Sequence, residues 1–119
     1  HPAYSSSARR DNPGVRKIWG AIFDKYHVDM ALQGHDDAYL RTYPMKGEQR
    51  VGSPAEGTVY VISVSGTKFY DQGDLDYIEF GMTNVATYQV LDIFIDGNRL
   101  VYRAYDVDGN KRDELIIEK

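Results

Sequence analysis

The chain has 119 residues, 42% of them hydrophobic, with 10 Tyr, no Cys and a formal net charge of −4. That length supports one domain over residues 1–119 with a modest core, and the apolar share excludes a disordered chain. Charges of both signs mixed along the sequence argue against nucleic acid as a partner, zero Cys excludes disulfides and thiolate metal sites, and no run reaches the length of a membrane span.

His1-Pro2-Ala3-Tyr4-Ser5-Ser6-Ser7 is polar and contains Pro, so an extended and partly mobile loop is expected. A chain that begins His1-Pro2 without Met is also expected to have been processed or cut from something longer. Arg9-Arg10 with Arg16-Lys17 reads as a solvated helix entrance. Asn12-Pro13 starts the helix, with Asn as N-cap and Pro at the first helical position, where its missing N–H costs nothing. Val15, Ile18, Trp19, Ile22, Phe23 and Tyr26 then form one apolar stripe at α-helical spacing, which predicts that this face packs on a sheet. His27 closes the helix, where its side chain suits the dipole, and it is left out of the site.

Val28-Asp29-Met30-Ala31-Leu32 reads as a short buried strand. It runs into Gln33-Gly34-His35-Asp36-Asp37-Ala38-Tyr39-Leu40-Arg41-Thr42, with Gly34 as the residue that lets the backbone turn sharply. A strand tip is where α/β folds place their chemistry, and here it carries one imidazole and two carboxylates. Lys46 to Gly57 is expected to be a surface loop, and Thr58 to Val64 a strand buried on both faces by its β-branched content, ended by Ser65-Gly66-Thr67. From Lys68 to Asn84 no regular element is assigned beyond a short strand at Tyr77–Phe80. A meander closes the chain: Tyr88 to Ile95, a turn at Asp96-Gly97-Asn98, Leu100 to Tyr105, a turn at Asp106 to Lys111, and Glu114 to Glu118. The second turn has alternating acidic side chains but not the spacing of a calcium loop, since Gly109 is fourth and Glu118 thirteenth. It reads as an ordinary Asp-Gly hairpin.

Over Gly34-His35-Asp36-Asp37-Ala38-Tyr39-Leu40-Arg41-Thr42 the chain resembles the calcineurin-like metallophosphoesterases of the purple-acid-phosphatase-like branch, whose last motif is Gly-His-x-His followed by Tyr-x-Arg-Thr. His1-Pro2-Ala3-Tyr4-Ser5-Ser6 is similar to the residues just after that family's preceding metal-binding His. Gly57-Thr58-Val59-Tyr60-Val61-Ile62-Ser63 is similar to its Gly-Thr-Val-Tyr strand, and Tyr88 to Lys119 to its closing strands. The resemblance implies an α+β fold, the C-terminal half of an αββα sandwich with one main helix and mixed or antiparallel strands. It also implies a phosphomonoester hydrolase with a dinuclear centre of Fe, Zn or Mn, in which a metal-bound hydroxide attacks phosphorus.

In that pattern His35 is a metal ligand, and Asp37 stands where the second His belongs, an oxygen donor in place of a nitrogen. Asp36, at the variable position, is expected to be solvated or to support the ligands, and Tyr39 and Arg41 to support them or face substrate. The family's earlier Asp, Asn and His motifs are absent from these residues, so the 119-residue chain alone is expected to be catalytically inactive and to bind no complete metal centre. An uncovered sheet is expected to favour a homodimer. The resemblance implies a periplasmic or extracellular location. Two other readings are a non-catalytic, metal-free relative and a β-rich carbohydrate- or protein-binding module.

Overall fold

The structure, a computed structural model of the chain, describes residues 1–66, 73, 75–94 and 96–119. Thr67, residues 68–72, residue 74 and Ile95, to which parts of the sequence reading refer, lie outside them. A single 3-10 turn at Ala8–Arg10 precedes the helical stretch α1, which begins as α-helix at Pro13–Val15, widens into a π-helical turn over Arg16–Gly20 and resumes as α-helix over Ala21–Tyr26. Pro13 sits at the start as expected, but Asn12 makes no side-chain cap; its Nδ2 donates to the Arg10 carbonyl at 2.8 Å instead. The helix ends at His27, whose φ of 52° places it in the left-handed region while its N–H closes back on Asp24 and Phe23.

Among the described residues nine strands follow: β1 Met30–Gln33, β2 Tyr39–Thr42, β3 Met45–Lys46, β4 Gln49–Arg50, β5 Val59–Ile62, β6 Ile78–Met82, β7 Thr87–Phe94, β8 Arg99–Asp106 and β9 Lys111–Glu118. They build a four-stranded sheet in the order β1-β5-β2-β6, a two-stranded β3-β4 hairpin and a three-stranded β7-β8-β9 meander. β1 runs parallel to β5, whereas β2 is antiparallel to both β5 and β6. This is the α+β arrangement of one main helix with mixed and antiparallel sheets. The loop expected at Lys46 to Gly57 therefore contains a small hairpin, turned by Gly47 and Glu48, both at positive φ. Beyond it Gly57 is obligatory: a Cβ there would lie 2.7 Å from the Met45 carbonyl oxygen and from Val51 Cγ2, where Met45 and Thr58 bridge.

β5 is the centre of the molecule, and all four of its residues are buried. Tyr60 points to the helix side and joins Ala3, Tyr4, Met45 and Tyr77, with Val15 and Phe23 packed against them. Val59 and Val61 point the other way and join Tyr39, Tyr102 and Ala104, with Leu91, Leu100 and Leu115 closing that layer. The molecule is thus layered helix, mixed sheet, antiparallel sheet, with Tyr60 serving one apolar interface of β5 and Val59 and Val61 the other.

Three expectations are corrected here. The helix does not bury its whole stripe: Val15 and Phe23 pack inward, but Ile18, Trp19, Ile22 and Tyr26 stay 41–68% exposed. A π turn closes i→i+5 rather than i→i+4, so side chains beyond it are displaced from the α repeat that the sequence spacing assumed. The segment expected to be a mobile N-terminal loop is instead buried from Pro2 to Ser6. Nor is Arg16 a solvated cation. Its Nε donates to the Ala3 carbonyl at 3.0 Å, its Nη2 pairs with Asp11, and its guanidinium lies 4.4 Å from the Tyr4 ring centroid.

Candidate functional site

β1 and β2 flank β5 on either side, so the chain between them, residues 34–38, must cross over the tip of the central strand. Parallel β1 and β5 end together there, which puts the His35-Asp36-Asp37 loop at the end of the sheet where a parallel pair leaves room for a ligand. The sharp turn belongs to His35 rather than Gly34. His35 has φ of 78°, a conformation uncommon for a residue with a Cβ, whereas Gly34 has no positive φ.

The N-terminal segment is fastened to this tip. Gln33, the last residue of β1, accepts the Ala3 N–H at 2.6 Å through Oε1, and Tyr77 donates its hydroxyl to the Ser5 carbonyl at 2.6 Å. Asp36 accepts both the Ser6 backbone N–H (2.7 Å) and the Ser6 hydroxyl (3.0 Å) through Oδ2. Its Oδ1 faces His35 Nδ1 at 3.3 Å and Arg10 Nη1 at 3.8 Å. A solvated Asp36 is therefore excluded: its side chain is 0% exposed and ties three segments together. The imidazoles of His1 and His35 lie against each other with centroids 4.2 Å apart, tilted by 49°. His35 is half-exposed and Asp37 partly exposed beside it.

Tyr39 and Arg41 alternate onto the opposite face of β2 and end between the sheets. The Tyr39 hydroxyl donates to Asp113 Oδ2 (2.7 Å) and lies 3.0 Å from the Tyr102 hydroxyl. Arg41 grips the same carboxylate twice, Nε to Oδ2 at 2.7 Å and Nη2 to Oδ1 at 3.0 Å, while Nη1 pairs with Glu79. Burial raises the Tyr39 phenol far above its ordinary range and pushes the Tyr102 phenol up to about 12. For Arg41 burial acts to lower the value, but the bonds and charge of Asp113 outweigh it and the net direction is up, so the guanidinium stays charged. The Tyr-x-Arg pair thus joins the mixed sheet to β9. Asp113 was not singled out by the sequence, where it is one acidic residue in a charged run 72 positions from Arg41.

A third polar group needs no ligand to explain it. At the β8–β9 turn Asp106 Oδ1 accepts the Asp108 N–H (3.0 Å) and the Asn110 N–H (2.9 Å), and Gly109 takes the positive φ. The Asn110 N–H is the main cause that holds the Asp106 pKa below the ordinary carboxylate value. The carboxylate is a turn-former, as the hairpin reading expected.

The donor set at the strand tip can be tested against a dinuclear metal centre. Two metals need several donors each, and among the described residues no group of three or more His, Asp or Glu is placed to hold even one ion. Asp36, the best buried carboxylate, is committed to Ser6. These residues therefore do not fit a dinuclear centre on their own; His35 and Asp37 remain as a partial donor set.

No family model matches the chain. Two uncharacterised proteins of Mycobacterium tuberculosis, from two strains, are 41% identical to it over 34 residues, which is 29% of this chain. The matched stretch spans 6% of the length of those relatives. In three dimensions the chain is similar to the structure of purple acid phosphatase PPD1 isolated from yellow lupin (Lupinus luteus) seeds. The TM-score is 0.79 at 22% sequence identity, covering 97% of this chain and 23% of that one. The fold is thus that of a portion of a purple acid phosphatase. Among the described residues no helix is long and apolar enough to cross a membrane.

Proposed function

We propose that these 119 residues are the C-terminal portion of a metal-dependent phosphoesterase that hydrolyses phosphomonoesters. The observation that carries this reading is the strand tip: a His followed two positions later by an oxygen donor, at the end of a parallel pair, in a fold similar to part of a purple acid phosphatase. On this reading His35 and Asp37 contribute to a metal centre of Fe, Zn or Mn whose other ligands lie outside these residues. Replacement of an imidazole by Asp37 hardens the donor set and adds negative charge, which favours oxygen-loving cations. The 119-residue chain alone is inactive, because its donors fall short of one metal site. An exported location, periplasmic or extracellular, accompanies the reading.

The test is hydrolysis of an aryl phosphate by the protein expressed over the full extent of its reading frame, loaded in turn with zinc, manganese and iron. The expected result is metal-dependent release of phosphate, abolished by His35→Ala and weakened by Asp37→Ala. A folded, metal-loaded, intact protein without hydrolysis would overturn the proposal. In that case the Asp37 replacement marks a relative that binds without turning over.

A further inference from the structure

Among the described residues five tyrosines are buried, Tyr4, Tyr39, Tyr60, Tyr77 and Tyr102, and a buried phenol ordinarily finds a hydrogen-bond partner. Three do. Tyr39 donates to Asp113, Tyr102 bonds Tyr39, and Tyr77 donates to the Ser5 carbonyl. Tyr4 and Tyr60 are 3% and 1% exposed, yet among the described residues neither hydroxyl has a partner. Neither hydroxyl is sealed from solvent, and both tyrosines line the same cleft, 190 Å³ in volume, between the helix and the β3-β4 hairpin. We infer that this cleft binds an uncharged sugar, which takes up the free hydroxyls of Tyr4 and Tyr60.

The chemistry of the walls selects that class of ligand. Burial raises both phenols above their ordinary value, Tyr4 to about 12, so each keeps its proton and offers it to an acceptor. The ligand has to donate as well, because Asp24 and Glu48 line the same space and carboxylates only accept. Arg16 and Lys17 balance those two carboxylates, and Arg16 is already paired with Asp11, so no surplus of cation is left for a phosphate. A sugar ring meets each demand, with hydroxyls that donate and accept, no charge, and a C–H face for Met45 and the tyrosine edges.

The shape agrees. The Gly47 N–H donates to Asp24 Oδ2 at 2.8 Å, which ties the hairpin to the helix and closes that end of the cleft to an extended chain. On the helix wall Gly20 ends the π turn with an ordinary helical φ of −58°, so its backbone does not call for Gly. A Cβ there would stand 3.7 Å from the Tyr60 hydroxyl, and its absence leaves that hydroxyl open to a ligand. A second space of 380 Å³ adjoins the first, sharing Tyr4, Arg16, Met45 and Glu48 and reaching Arg50 and Asp76, which leaves room for a second ring.

The test is isothermal titration calorimetry of the protein expressed over the full extent of its reading frame. The probes are the methyl glycosides of glucose, galactose and mannose, with maltose and cellobiose, beside glucose 6-phosphate and inorganic phosphate. Saturable binding of at least one uncharged sugar is expected. Tyr60→Phe is expected to weaken it about fivefold, the loss of one neutral hydrogen bond, and Gly20→Ala to abolish it by placing a methyl before the hydroxyl. Neither variant is expected to lower Tm, because the Tyr60 hydroxyl has no protein partner to lose and Ala suits a helix better than Gly. No saturable binding of any uncharged sugar would overturn the inference, and so would binding that either variant leaves unchanged. Binding of the two phosphates alone would make the cleft an anion site and overturn it equally. A Tyr60→Phe protein melting several degrees early would show the hydroxyl bonded within the protein, with the same consequence. The phosphoesterase reading is not used here, since these uncharged sugars carry no phosphate to release; it stands or falls by the hydrolysis assay with His35→Ala.

Discussion

Asp113 is the residue on which the two sheets depend most. Its carboxylate receives two bonds from Arg41 and one from Tyr39, with little water to replace any of them. Removing one partner of a buried ion pair leaves the other charge uncompensated, which costs about 3–5 kcal/mol. Asp113→Ala is therefore expected to lower the unfolding free energy by that order in urea titration. Tyr39→Phe, which keeps the ring and strips one bond, is expected to cost about 1–3 kcal/mol. Arg41→Met combined with Asp113→Leu is expected to recover most of the loss, since well-packed apolar side chains can replace a buried pair. A change below about 0.5 kcal/mol in Asp113→Ala, the level of an ordinary surface substitution, would show that solvent reaches the pair and would remove it from the fold's supports.

The helix offers the same kind of test one level up, because only part of its apolar stripe is used. Phe23 packs toward Tyr60, with ring centroids 6.1 Å apart, whereas Ile18 is 62% exposed. Phe23→Ala is expected to cost about 2–3 kcal/mol, somewhat below a fully buried Phe, while Ile18→Gln and Ile22→Gln stay within about 0.5 kcal/mol. Equal losses at Phe23 and Ile18 in thermal unfolding would mean that the stripe is buried as its spacing suggested. The elements themselves were readable where a single periodicity ruled. β5 announced itself by unbroken β-branched residues, the closing meander by alternation between turn residues, and the helix by Asn12-Pro13 at one end and His27 at the other. What spacing could not convey is the π turn at Arg16–Gly20, which changes the repeat inside the helix. Nor could it convey contacts across long loops. His35 was legible as a strand-tip residue from Leu32-Gln33-Gly34-His35, but the Ser6–Asp36 bond spans 30 positions and the Arg41–Asp113 pair 72. A serine-rich stretch and a lone Asp in a charged strand look alike whether they are solvated or buried, because only the fold decides which carboxylate has lost its water.

For the whole molecule the exposed feature of the mixed sheet is its β1 edge. β1 is an edge strand, and its residues Met30, Ala31, Leu32 and Gln33 include no charge and no Pro, the usual guards of an edge. Leu32 is 50% exposed upon it. Asp24 on one flank of the helix accepts the Gly47 N–H at 2.8 Å, so Ile22 and Tyr26, two positions to either side, project from the flank turned away from the hairpin. A two-fold axis beside β1 would pair the edge with itself in antiparallel fashion and bring two apolar flanks together, an isologous contact that one operation completes. The phosphoesterase reading expects this surface to meet further chain in the intact protein, and the 119-residue chain alone is expected to offer it to a second copy. Two chains of net charge −4 repel at a distance, and salt screens that repulsion without weakening apolar contact. Sedimentation equilibrium is therefore expected to show a dimer that strengthens with added salt. Leu32→Glu with Ile22→Glu is expected to return it to monomer with unchanged circular dichroism, because both side chains are already partly in water. A monomer at every concentration and salt would sink the proposal. Association that weakens with salt would reassign the contact to charged surfaces, among which the ladder of Asp92, Arg103 and Glu114 on the outer face of the meander stands first.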